Sequence, residues 1–346
     1  MNENVVFLED IPKLSRDDLE ELCKGINQKL DGSIIDLTSR IWENRNSLSI
    51  LENTKEKIFA GKRAITWYKF ENKDINCKDC LNKALGFDVF NEIRFFEEAN
   101  LSDTPQIMAA TEIDEGKYYL RCAYKSGFDK VISGNTIRSI PRMAVVTIYL
   151  EESKNFIEIR TGDKKLADRA AKMIASLFGE ALGEYQVRLP YSSDLGRMAD
   201  LLGGILIDAK SKVNVILDTF GEEEKNAVVK VIEAITLYFE EANPDNLVTT
   251  LDAAKDYISA PFVLMLINGL DTVGLGSNKE VRETLLFDWI KPYMEHQDGF
   301  IRFINRENGL DREYTIRIGV KKNTVFFNTP ATESSIEFIR NKLILA

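Results

Sequence analysis

One histidine, His296, stands in the whole sequence. Any mechanism that pairs a Ser or Cys nucleophile with an imidazole base has to use it. It lies in Tyr293-Met294-Glu295-His296-Gln297, just after Pro292, where the pattern predicts the polar end of a helix and an imidazole that compensates a helix dipole. No G-x-S-x-G is present, so no catalytic residue is assigned. Only four cysteines occur, too few for a disulfide scaffold, which makes a reducing cytoplasm the expectation. With 8 prolines and 20 glycines the chain is not a linker or a low-complexity segment. Met1-Asn2-Glu3-Asn4 lacks the basic start and apolar run of a secretory signal. The apolar run Ala260–Leu266 is too short to span a bilayer, so no membrane is expected.

The chain has 346 residues, enough for two or three domains, and a net charge of −10. Against that acidic background, Lys117–Phe178 carries a local excess of +6. A partner meets a patch and not the average charge. Residues 200–256 are the counterpart, with a net of −7.

Hydrophobic spacing predicts an α+β fold with four stretches: a mainly helical region over 1–105 with a strand at 64–70, a basic β-rich domain over 106–189, an acidic helical region over 190–297, and a β-β-α unit over 298–346 that joins the middle antiparallel sheet. Ser15 and Asp18 form a capping-box start, followed by the stripe Leu19, Leu22, Cys23, Ile26 and Leu30, with Asp31-Gly32 as the stop. A second helix is predicted from Ile34 through Trp42. Leu81–Phe96 reads as a helix through Leu85, Val89 and Ile93. Lys117–Lys125 alternates as a strand. Met143–Leu150 and Phe156–Thr161 make a hairpin, and Gly162-Asp163 launches a helix with Leu166, Ala170 and Ile174 inward. From Leu195 to Leu270 the spacing reads as all helix, with Gly203-Gly204 tolerated inside it. Tyr314–Val320 and Thr324–Asn328 form a hairpin before a helix begun at Thr329-Pro330. The two hairpin-plus-helix units share a pattern and are expected to pair edge to edge, presenting Arg160 and Arg317 together.

The strongest functional reading rests on one strand face. Period-2 spacing places Lys117, Tyr119, Arg121 and Lys125 together, which supplies cations for phosphates and a ring for base stacking. Arg138, Arg142, Arg160, Lys164, Lys165 and Arg169 add to it, the last three on the first turns of a helix whose free N–H groups attract anions. Strand, turn, strand and a Gly-started helix rich in Lys and Ala are similar to half of a TATA-binding-protein repeat over about 35 residues, a fold-level analogy. The expected function is therefore non-catalytic binding of nucleic acid through this face. The alternatives are a protein–protein adaptor or complex subunit, including self-association, and a nuclease or other hydrolase with an unrecognised carboxylate site.

Other motifs read more plainly. Cys77-Lys78-Asp79-Cys80 is a single C-x-x-C, and a structural zinc site needs four ligands, so no metal or cofactor is assigned. Gly274-Leu275-Gly276-Ser277-Asn278-Lys279 lacks the third glycine of a dinucleotide loop and the Gly-Lys-Ser/Thr of a phosphate loop. It reads as a loop capping a helix. Asp103 with Glu115-Gly116-Lys117 matches a nuclease D…E-x-K, but Asp114-Glu115-Gly116 reads as a turn.

Overall fold

A computed structural model gives the fold and describes residues 5–71, 76–191, 194–213, 222–241, 244–254, 273–276, 294–307, 309–319 and 323–345. The architecture is α+β with antiparallel strands. The chain divides into two compact units, Met1–Pro190 with Phe303–Ala346, and Tyr191–Arg302. The stretches 1–105 and 106–189 and most of the terminal unit thus lie in a single compact body.

In the first unit, α1 (Arg16–Gly25) and α2 (Ile34–Glu43) each begin with a capping box, Ser15 with Asp18 and Ser33 with Asp36. α1 ends at Gly25, earlier than Asp31-Gly32, so Leu30 lies outside it. A short α3 (Ile50–Thr54) runs into a π-helical turn, Lys55–Ala60. The strand expected at 64–70 is β1 (Ala64–Phe70), buried on both faces. α4 (Cys77–Leu85) stops at Gly86, whose φ of 70° is left-handed. The backbone reversal there overrides the apolar spacing of Val89 and Ile93, so 87–96 is not helical.

β2 (Gln106–Asp114), β3 (Lys117–Ser133), β4 (Thr136–Glu151) and β5 (Phe156–Arg160) form a meander. α5 (Lys164–Phe178) follows, capped by Asp163 and closed by Gly179 at φ 65°. β6 (Leu182–Glu184) pairs with β1. After the second unit come the end of β9 (Met294–Glu307), β10 (Leu310–Gly319), β11 (Thr324–Phe327) and a C-terminal helix, Glu333–Ile339. Thr332 caps this helix, three residues later than Thr329-Pro330 suggested.

The strand order of this unit is β2-β3-β4-β5-β1-β11-β10. The two hairpins share a sheet but do not meet edge to edge, because β1 lies between them and pairs with β5 on one side and β11 on the other. One sheet face, with Tyr68, Leu120, Cys122, Ile148, Ile157 and Ile159, packs against α4 and α5 through Leu81, Leu166, Ala170 and Ile174. The opposite face meets the N-terminal segment and the C-terminal helix. The two hairpin-associated helices therefore cover opposite faces. No position for a shared basic surface survives, since Arg160 is buried.

The second unit contains α6 (Leu195–Leu201), β7 (Ile205–Val213), α7 (Glu222–Glu241), α8 (Pro244–Ala254), β8 (Val273–Gly276) and β9 as far as Arg302. β7 overturns the continuous helix expected over Leu195–Leu270. Leu202 caps α6, and Gly203 at φ 61° turns the chain into a strand paired with both β8 and β9. The predicted stripe positions Ile216 and Phe220 lie outside the described residues. Gly274-Leu275-Gly276 is strand and not a loop, while Ser277 to Lys279 fall outside the description. His296 sits in β9 opposite Ser211, not at a helix end. Among the described residues no helix is long and apolar enough to cross a membrane.

Candidate functional site

The expected basic face is an internal layer of the first unit. Arg121 is 1% exposed, and its Nη2 donates to both carboxylate oxygens of Asp10 at 2.7 Å. Its Nη1 reaches Thr147 Oγ1 at 3.2 Å. The guanidinium lies over the rings of Phe59 and Phe7. Tyr119 is equally buried and packs edge-on against Phe59 and Tyr149. Arg160 is buried between Glu333, which it grips through both Nη atoms, and Glu158. Arg340 in turn pairs with Glu158 and stacks over Tyr149. Burial alone weakens the charge on Arg160, but the carboxylates of Glu333 and Glu158 outweigh it and hold the guanidinium firmly protonated. The period-2 reading placed these side chains together. What it lacked was the second layer of chain, carrying Asp10, Glu333 and Arg340, that closes over them.

The remaining expected residues separate by position. Lys117 lies at the far end of β3, paired with Asp114 at 3.1 Å. Lys164 is held by Asp168, Glu184 and the Tyr68 hydroxyl. The start of α5 offers no open anion site, because Asp163 Oδ1 already accepts from the N–H groups of Lys165 and Leu166. Lys125, Arg138 and Arg142 belong to a projecting arm or its root, whereas Lys165 and Arg169 lie on α5, the first exposed and the second partly buried. Strand-reading proteins lay a sheet against DNA; here both faces of the main sheet are covered, so the likeness to a TATA-binding-protein repeat does not extend to a free sheet face.

The arm exists because β3 and β4 outrun their neighbours. β2 pairs with β3 only as far as Ala123, and β5 pairs with β4 only as far as Thr147. Beyond those points Lys125–Ser133 and Thr136–Met143 pair with each other. Nine residues of strand extend about 30 Å. A bulge beside Gly127, at φ 146°, marks the root. One face of the ribbon carries Phe128, Lys130, Ile132, Ile137 and Pro141; the other carries Asp129, Val131, Arg138, Ile140 and Arg142, as their register requires. Phe128, Ile132 and Ile137 are 56%, 75% and 69% exposed. Among the described residues Lys130 and Arg138 make no ion pair, Arg142 meets Asp129 at 3.3 Å, and Lys125 meets Asp103 at 3.2 Å. Asp103 thus pairs with a lysine, and Glu115-Gly116 is the β2–β3 turn, with Gly116 at φ 68°. That geometry does not assemble the nuclease pattern.

Where β5 stops at Arg160 and β4 continues outward, the sheet leaves a gap. A cavity of about 460 Å³ occupies it, lined by Lys13, Lys62, Arg63, Arg121 and Arg160 with Asp10 as the one carboxylate among the described residues, and by Thr161, Tyr124, Phe326 and neighbouring apolar groups. Arg63 donates Nε and Nη2 to the Ile58 carbonyl. Burial, then the nearby Arg121, lowers its pKa. Sequence reading missed Lys13, Lys62 and Arg63, because they come from three separate segments.

Cys77 heads α4, buried, with its thiol pushed up by burial and by Glu152. Burial likewise raises the Cys122 thiol to about 12. All four cysteines are free thiols. Among the described residues no group of three or more His, Cys, Asp or Glu side chains is placed to hold a metal ion. Compared with known proteins, the chain matches no family model and has no significant match among curated proteins.

Proposed function

We propose that this is a non-catalytic, nucleic-acid-binding protein that works through the projecting β-ribbon and not through its sheet face. The observation that carries the reading is the uncovered ribbon itself, with Lys130, Arg138 and Arg142 on it and Asp129 as its one acid. A two-stranded ribbon fits the major groove of duplex DNA, and its cations then meet phosphates on either side. An isolated hairpin in water is marginally stable at best, so a ribbon this long with exposed apolar side chains gains from a partner. Free thiols throughout fit a reducing cytoplasm.

The exposed Phe128, Ile132 and Ile137 favour a second reading, a protein adaptor that docks through the same ribbon. Electrophoretic shifts with single- and double-stranded DNA and RNA at two salt concentrations separate the two. Nucleic-acid binding predicts that Lys130→Glu with Arg138→Glu abolishes the shift, and that log K falls with log salt at a slope of about −3 for three phosphate contacts. Absence of any shift at low salt refutes the nucleic-acid reading and leaves the adaptor.

A further inference from the structure

The cavity at the root of the arm has features that the ribbon reading does not use. Its lining holds more positive charge than its surroundings neutralise. Lys13 and Arg121 share Asp10. Arg160 is matched by Glu333 and Glu158. Lys62 and Arg63 make no ion pair among the described residues, although Asp10 acts on Arg63 at longer range, so the lining holds five cations against one carboxylate. Donors are also left over. Arg63 Nη1 has no partner among the described residues after Nε and Nη2 have bonded Ile58. The exposed Lys62 ammonium is another such donor. Unspent donors in so basic a lining favour an anionic ligand.

We propose that this cavity binds a phosphate monoester whose organic group is flat, as in a nucleoside monophosphate. A monoester dianion offsets part of that positive charge, and its three terminal oxygens accept from donors that approach from different directions. Arg63 and Lys62 meet the phosphate, with the Thr161 hydroxyl beside them. Phe326, 36% exposed at the lining, and Tyr124 offer surfaces for the organic group. The volume of about 460 Å³ is that of a small-ligand site. The mutual repulsion of Arg63, Arg121 and Arg160 is relieved when the anion enters. This site is separate from the ribbon and does not depend on it.

The test is calorimetry on the full chain with AMP, adenosine and inorganic phosphate. AMP should bind, phosphate more weakly, and adenosine at least tenfold more weakly than AMP. Lys62→Glu with Arg63→Gln should weaken AMP at least tenfold. Lys62→Glu alone, at an exposed position, should weaken it several-fold with an unchanged unfolding midpoint, which keeps the result readable if the double variant is unstable. Lys130→Glu with Arg138→Glu should leave AMP binding intact, so loss of the ribbon function and loss of this site are distinguishable. Competition assigns the source: an oligonucleotide with a 5′-phosphate that displaces AMP, when its 5′-hydroxyl twin does not, places the monoester at a strand end, and displacement by neither places it on a free nucleotide. Equal binding of AMP and adenosine, no binding of AMP at millimolar concentration, or wild-type affinity in the Lys62→Glu variant would overturn the proposal.

Discussion

Replacing Asp10 by Asn isolates what the buried Arg121 pair contributes. Asp10 is fully buried and accepts two bonds from Arg121 Nη2 at 2.7 Å, one from the Phe7 N–H at 3.0 Å and one from Lys13 Nζ at 3.2 Å. Asn keeps the shape but removes the charge, which leaves the Arg121 guanidinium uncompensated at 1% exposure. Breaking a buried pair by removing one partner costs about 3–5 kcal/mol. Arg121→Met should cost less, because Lys13 remains beside Asp10. The double variant should cost clearly less than the sum, with a coupling energy of about 2–3 kcal/mol. Urea unfolding followed by fluorescence in a Trp289→Phe background, where Trp42 and Trp67 of the first unit are the remaining tryptophans, measures each value. The same pair has a pH signature. Burial raises the Asp10 pKa, but Arg121, Lys13 and the Phe7 N–H together bring it below the ordinary value. Its contribution is therefore complete above the unfolded carboxyl pKa of about 3.9 and is lost as pH falls through the lower folded value. Asp10→Asn should lack that acid-dependent component. A loss below about 1 kcal/mol, or strictly additive single variants, would falsify the buried-pair account and reopen Arg121 as a ligand-binding residue.

Ile174→Ala, in the stripe of α5 that packs on the sheet, should destabilise the first unit by about 2–5 kcal/mol in the same urea assay. Gly179→Ala forces a side chain into a left-handed conformation with no contact to clash with, so the cost should be about 1–2 kcal/mol. Native thiol titration should modify Cys80, which is partly exposed, well before the buried Cys23, Cys77 and Cys122, with full reaction of all four only in denaturant. Limited proteolysis of free protein should cut first among the exposed residues of the β3–β4 arm, and bound duplex DNA should protect those sites.

Local signals in the sequence determined the elements that depend on local physics. Ser15 with Asp18 fixed the start of α1, Gly162-Asp163 the start of α5, and alternation the β3, β4 and β5 strands. Each is decided by bonds or side-chain spacing within a few residues. Glycines were misjudged where apolar spacing ran through them: Gly86 ends α4, and Gly203 turns the chain from α6 into β7, because a left-handed residue reverses the backbone regardless of the pattern around it. The strands also run longer than their alternation shows, since 128–132 and 136–139 are exposed and carry no clear alternation. The candidate site was decided by tertiary structure. Period-2 spacing grouped Tyr119 and Arg121 with Lys117 and Lys125 but says nothing of what lies opposite. Asp10 is separated from Arg121 by 111 positions, and Glu333 from Arg160 by 173. A charge on a strand face reads the same in sequence whether water or a distant carboxylate will meet it. Only the fold, by stacking the N-terminal segment and the C-terminal helix on that face, turned a presumed ligand surface into a buried ion-pair layer and left the arm and the cavity at its root exposed.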